Sequence, residues 1–250
     1  MEKISSSCRK FIKYSLIILF WLLIWEVANA LIESNIAIVS PRVAFARLFY
    51  LGQTFEFWAS IATSLRRIMQ GFLLAFGVGV IIATISVKSQ IFYQLISPAI
   101  NVINAIPIAS FTIIALLAFS SANLPIFIAF VTVLPIIFYN THKGIVNTDP
   151  LLLEMAAVFD IPLWKRILYI YFKSVAPYLI SAASIGIGFA WKSGIAAELI
   201  GVVRGTVGAN LHNARIFLLT ADLFAWTIAI VLLSYAMERF FRLIFSKVMK

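Results

Sequence analysis

Six apolar runs, at 14–32, 68–87, 107–119, 124–139, 175–201 and 216–237, decide what this chain can fold into. A run of about 20 such residues crosses a hydrocarbon core of about 30 Å as one helix. The whole chain agrees: 62% of its residues are hydrophobic and 12% are charged, against about a quarter charged in a soluble domain. The expectation is an all-α membrane protein with about six transmembrane helices, a single membrane domain over 1–250 with its core at 64–243. The first run is too long for the apolar region of a signal peptide and is expected to stay as an anchor.

The runs differ in kind. In the second, Gly71, Ala75, Gly79 and Ala83 recur every four residues, a small-residue stripe that lets another helix approach closely. Ahead of the third, Pro98 and Pro107 each remove a backbone donor, so a tilted or interfacial segment is expected to about residue 105 and a span from Pro107 to 119. Broken helices at membrane depth are tolerated where protein or a water cavity satisfies the freed backbone, which makes this break a candidate wall of a passage. Between the first two spans Ser40-Pro41 marks a turn and 45–58 fits an interfacial amphipathic helix. Residues 202–215 read as a polar connection.

One stretch, 147–172, is not membrane-grade. Asp149-Pro150 is a helix-start signal with proline in the first turn, and a helix is expected over 151–159 with Glu154, Met155, Ala156 and Ala157 forming a shallow patch. A turn follows at Asp160, because Asp enters the left-handed region with modest strain. Pro162 then presets the entry to a second helix, where Trp164, Ile167, Leu168 and Tyr171 take the i, i+3, i+4, i+7 spacing of one apolar face. A partly charged helix-turn-helix belongs at the membrane surface.

Charge orients the spans. The chain carries a net +10, and 13 of its 20 Lys and Arg fall in the two tails, the Lys88 loop and the 142–173 loop. The positive-inside rule puts those segments in the cytoplasm, and with membrane lipid explaining the basicity no nucleic-acid partner is expected. Arg66 and Arg67 fall on the opposite side in this scheme. Cys8, His142 and His212 make no metal set among themselves, and neither metal nor cofactor is expected.

Several stretches together carry a family resemblance. Glu154-Met155-Ala156 with Asp160, Ile170 and Pro177 resembles the "EAA, three residues, G, nine residues, I" loop of permease subunits of binding-protein-dependent ABC importers. Ala190-Trp191 through Ala197-Glu198-Leu199-Ile200-Gly201 is similar to a segment of the nitrate, sulfonate and taurine branch, as are Ser64-Leu65-Arg66-Arg67 with Gly71-Phe72, and Ile106-Pro107. The resemblance covers roughly 64–201, with Asp160 where the loop glycine usually stands and Lys173 where a proline does.

That resemblance implies a MetI-like permease fold, a homodimer, two copies of a cytoplasmic ATPase and a solute-binding protein outside. The chain has no Gly-Lys pair, so it lacks the phosphate-cradling loop of an ATPase and no catalytic residue is expected. Glu154, Met155, Ala156, Ala157, Asp160, Pro162 and Trp164 then form the ATPase-coupling loop. Charges inside spans usually face a bundle interior or a cavity, so Lys192, Glu198 and Asp222 join Pro107, Gly188 and Gly194 as candidate pathway residues. Lys192 has two readings, a structural ion pair with Glu26 or Asp222, or a positive charge offered to an anionic solute. Glu198 reads as part of an outer gate, as part of the contact with a binding protein, or as a partly wet interfacial carboxylate. The alternative function is an ion-coupled secondary transporter using Glu26, Lys192, Glu198 and Asp222 as a relay, though such carriers commonly show two related halves and no internal repeat is evident.

Overall fold

The computed structural model describes residues 2–32 and 38–248, with side chains over 12–32 and 38–243. The basic residues Lys3, Arg9, Lys10, Lys247 and Lys250, used above to orient the chain, have side chains outside those limits. Among the described residues the regular elements are all helical: α1 Glu2–Leu31, α2 Pro41–Gly52, α3 Phe55–Lys88, α4 Gln90–Ala105, α5 Ile108–Ala118, α6 Leu124–Val146, α7 Pro150–Val158, α8 Leu163–Arg166, a π-helical turn Ile167–Tyr171, α9 Phe172–Gly201, α10 Val207–Ile216 and α11 Thr220–Val248. Five helical segments are long and apolar enough to cross a membrane, and a sixth crossing exists if α4 and α5 count as one broken span.

Three expectations need correction. The 107–119 run gives an 11-residue helix, α5, which at 1.5 Å per residue reaches about half of a 30 Å core. It meets α4 at 107° across Ile106-Pro107, so the break expected there exists, and α5 alone is too short to cross. The 45–58 helix is cut at Gln53-Thr54, where Thr54 Oγ1 accepts from Phe57 N at 3.3 Å and opens α3; Ser40-Pro41 starts α2 instead of merely turning the chain. The 202–215 connection contains most of a ten-residue helix, α10, and the last span begins at Thr220, after Leu218 (φ 54°) ends α10 as its left-handed cap residue.

The chain divides into two compact units. In the unit made of Met1–Trp58 and Asn210–Ile230, Trp25 is the joint: its indole Nε1 donates to Val39 O at 3.0 Å and its ring stacks on Phe224 at 5.5 Å. Phe57 stacks on Trp226 at 4.8 Å. Arg47 and Asp222 close the unit as a two-pronged ion pair, with Nη2 donating to Oδ2 at 3.1 Å and Nε to Oδ1.

The unit made of Ala59–Ala209 and Val231–Lys250 is built on small residues. The stripe of α3 does pack closely: a Cβ on Gly71 would stand 2.3 Å from Ile126 O, and one on Gly79 2.9 Å from Ile137, so α3 lies almost backbone to backbone on α6. Ala75 and Ala83 on the same stripe are fully buried. Gly186 meets Val133 of α6, Gly194 meets Ile68 of α3 and Gly188 meets Glu238 of α11. The span-five glycines thus serve close packing within the chain; Gly188 and Gly194 are turned to neighbouring helices of their own unit, not to an open face.

Candidate functional site

The loop forms as a helical hairpin with both ends fixed by local chemistry. Asp149 Oδ1 accepts from Leu151 N at 2.9 Å and Pro150 takes the first helical position. At the other end, Asp160 has φ 45°, Ile161 N donates to Ala156 O at 2.9 Å and Asp160 N to Ala157 O at 3.2 Å. These are the two bonds of a Schellman cap with Asp160 as its left-handed residue. A second lock comes from Arg166, whose Nε donates to Ile161 O at 2.7 Å and whose Nη2 donates to Ala156 O at 3.0 Å. One guanidinium therefore ties α7 and the turn to α8, and the hairpin is held as one piece.

Arg166 was not a predicted site residue. Its signal was available, since a short helix leaves carbonyls free at its C-terminus and a fork of donors one turn into the next helix is placed to take them.

The second helix of the hairpin is not separate. α8 runs through the π-helical turn into α9, giving one continuous helical segment, Leu163–Gly201, of 39 residues. Lys173 keeps the backbone donor that a proline there would lack, and the helix runs on through Pro177 inside α9.

The hairpin also presents apolar surface. Val158 is 79% exposed, Phe159 73% and Trp164 60%, with Leu151 and Leu163 exposed as well. Glu154, Met155 and Ala157 share the exposed side, while Ala156 is fully buried beneath the turn. Contiguous apolar patches bounded by charge mark contact surfaces.

Glu198 occupies a different kind of place. It is 0% exposed, and its Oε2 accepts from Ser64 Oγ at 2.7 Å and from Gly208 N at 3.1 Å. Ser64 Oγ accepts from Val207 N at 3.0 Å, and Thr206 Oγ1 from Ala209 N at 3.2 Å. Val207, Gly208 and Ala209 are the first three residues of α10, so three donors that a helix start leaves orphaned are each given an acceptor. The carboxylate also sits at the positive end of the helix dipole. Gly208 permits it, because a Cβ there would lie 2.3 Å from Glu198 Cβ. Glu198 is thus neither a wet interfacial group nor open to a passage in this structure. Two of the stretches that carry the family resemblance, around Ser64 and around Glu198, meet in this knot. Arg67, one turn along α3, lies within electrostatic reach of the carboxylate.

The remaining charges separate. Asp222 is engaged by Arg47, which removes it as a partner for Lys192. Glu26 lies on an exposed face of α1. Lys192 is exposed on α9 and has no ion-pair partner among the described residues. Ile185 and Phe189, on the same open side of α9, line a cavity of about 280 Å³ with Asn104, Ile106, Phe111 and Thr132, at the break marked by Pro107. Pro107 and Lys192 are exposed, whereas Glu198, Gly188 and Gly194 are packed.

Long apolar helices carrying one ordered surface hairpin fit a membrane permease, and the comparisons give the family. The chain belongs to the family of binding-protein-dependent transport system inner membrane components, which it matches over residues 75–250. It is 26% identical to the permease protein SsuC of Bacillus subtilis, named for aliphatic sulfonates transport, over 91% of this chain and 83% of that protein. It is 27% identical to the nitrate import permease protein NrtB of Synechococcus elongatus over 82% and 77% of the two chains. It is 30% identical to the bicarbonate transport system permease protein CmpB of the same organism over 61% and 54%.

Proposed function

We propose that two copies of this chain form the membrane passage of an ATP-driven importer. A cytoplasmic ATPase grips each 147–172 hairpin, and an external solute-binding protein delivers the solute. The observation that carries this reading is the hairpin itself: an exposed apolar handle, locked by Arg166 and continuous with a 39-residue helix, on a chain without a phosphate-cradling loop of its own. Closure of the two ATPases would draw the hairpins together and rock the spans between outward-open and inward-open states. In the proposed orientation both tails and the hairpin face the cytoplasm.

The solute is proposed to be a small anion. Sulfonates, nitrate and bicarbonate, for which the relatives are named, share a negative charge and little else. Lys192, exposed on the longest span one turn beyond the cavity-lining Phe189 and without an ion-pair partner among the described residues, would meet such a charge. The alternative relay of Glu26, Lys192, Glu198 and Asp222 gains no support, since Arg47 holds Asp222 and the α10 cap holds Glu198.

The test is Glu154→Lys, a charge reversal on an exposed residue. The variant should insert and fold as the parent does, yet lose co-purification of the ATPase and ATP-dependent uptake into proteoliposomes by tenfold or more, the order expected for like charges juxtaposed in an interface. Parental co-purification, or uptake driven by an ion gradient with the ATPase left out, would count against the proposal.

A further inference from the structure

A second cavity, of about 330 Å³, opens where the end of α3, the end of α6 and the α8–α9 joint come together. Its walls are apolar, from Val80 and Val87 on α3 to Ile167 and Tyr171 of the π-helical turn and Leu179 of α9. Two groups break that pattern. Lys88 stands at the rim, exposed and without an ion-pair partner among the described residues. Thr141 also lines the cavity; it is 1% exposed, and its hydroxyl is buried with no hydrogen-bond partner. Threonine in a helix ordinarily returns its hydroxyl to the preceding turn, as Thr84 and Thr132 do here at 2.8 and 2.7 Å. Thr141 keeps a donor unspent in an apolar pocket, which carries a penalty unless something enters to accept it.

We propose that this cavity holds one acyl chain of an anionic phospholipid from the leaflet on the hairpin side, with its phosphate on Lys88 and an ester carbonyl on Thr141. The chemistry matches part by part. The apolar walls accept hydrocarbon, the buried hydroxyl donates to a carbonyl within the headgroup boundary, and the ammonium, on a stem long enough to reach the interface, takes the phosphate. Water fits poorly, because it needs two to four polar partners and the lining supplies few. The site also sits against the π-helical turn, a feature concentrated at functional positions, so an occupied cavity would brace the joint through which the hairpin moves α9. The proposal stands on the cavity and does not require the ATPase.

Native mass spectrometry of the full-length chain, released from nanodiscs of equal phosphatidylglycerol and phosphatidylcholine, tests it. The parent should retain one phosphatidylglycerol per chain, about fivefold over phosphatidylcholine, the preference expected of one lysine near an anionic surface. Lys88→Gln should bring the two lipids to parity, and Thr84→Phe, which fills the cavity from an exposed position, should abolish retention of either. Equal retention of both lipids by the parent, no retained lipid, or a preference that survives both substitutions would overturn the assignment.

Discussion

Replacing Glu198 with alanine is expected to lower the stability of the chain by about 1 to 3 kcal/mol for each buried donor left without its acceptor. The substitution leaves the Ser64 hydroxyl and the Gly208 N–H without the acceptor they share at 2.7 and 3.1 Å, and opens a void at a fully buried position. Glu198→Gln keeps the volume and one acceptor oxygen, so it should lose only about 1 kcal/mol. Because Ser64 and Glu198 belong to one network, the Ser64→Ala, Glu198→Ala double variant should lose clearly less than the two single losses added. Thermal unfolding of the purified chain in detergent reads all three. An Ala variant that melts within about 2 °C of the parent, or strict additivity, would remove Glu198 from the structural role assigned to it.

The second large effect is expected at Arg166. Its guanidinium makes two charge-assisted bonds, to Ile161 O and Ala156 O, each contributing about 1.5 to 3 kcal/mol. Arg166→Ala should therefore shift the hairpin from one fixed arrangement to several, and uptake into proteoliposomes should fall about tenfold or more. ATPase co-purification should stay near the parental level, because the exposed Leu151, Val158 and Phe159 are untouched. Lys at this position should not rescue, since an ammonium lacks the planar fork that reaches two carbonyls. Uptake at the parental rate in Arg166→Ala would mean that the hairpin transmits force without this lock.

The contrast between these residues shows what a sequence makes legible. The hairpin could be read because its signals are local: Asp149-Pro150 starts α7, Asp160 turns the chain at φ 45°, and Pro162 precedes α8. The α3 stripe was equally readable, because a four-residue period places its residues on one face. Helix ends were not. Hydropathy reports where lipid begins, whereas α3 starts 13 residues before its apolar run, at Phe55, because a backbone that bonds to itself needs no lipid to stay helical. The same reason hides the continuity of α8 with α9. Glu198 is the deepest case. A lone carboxylate in an apolar span looks functional by default, and its partners are a hydroxyl 134 residues earlier and a backbone N–H, neither of which leaves a pattern. α10 was missed for want of apolar periodicity, though Thr206, its capping residue, was in view.

The central claim, that a cytosolic handle moves the spans, is tested most directly by labelling residue 158. Val158 is exposed and lies on the hairpin, and Cys8 is the only native cysteine, so a Cys8→Ser, Val158→Cys chain carries a single reporter. A membrane-impermeant maleimide should leave it unmodified in intact cells and react in inside-out vesicles, with the ATPase protecting it there when bound. Modification from the outer face of intact cells would put the hairpin beyond the reach of any cytoplasmic motor and contradict the account.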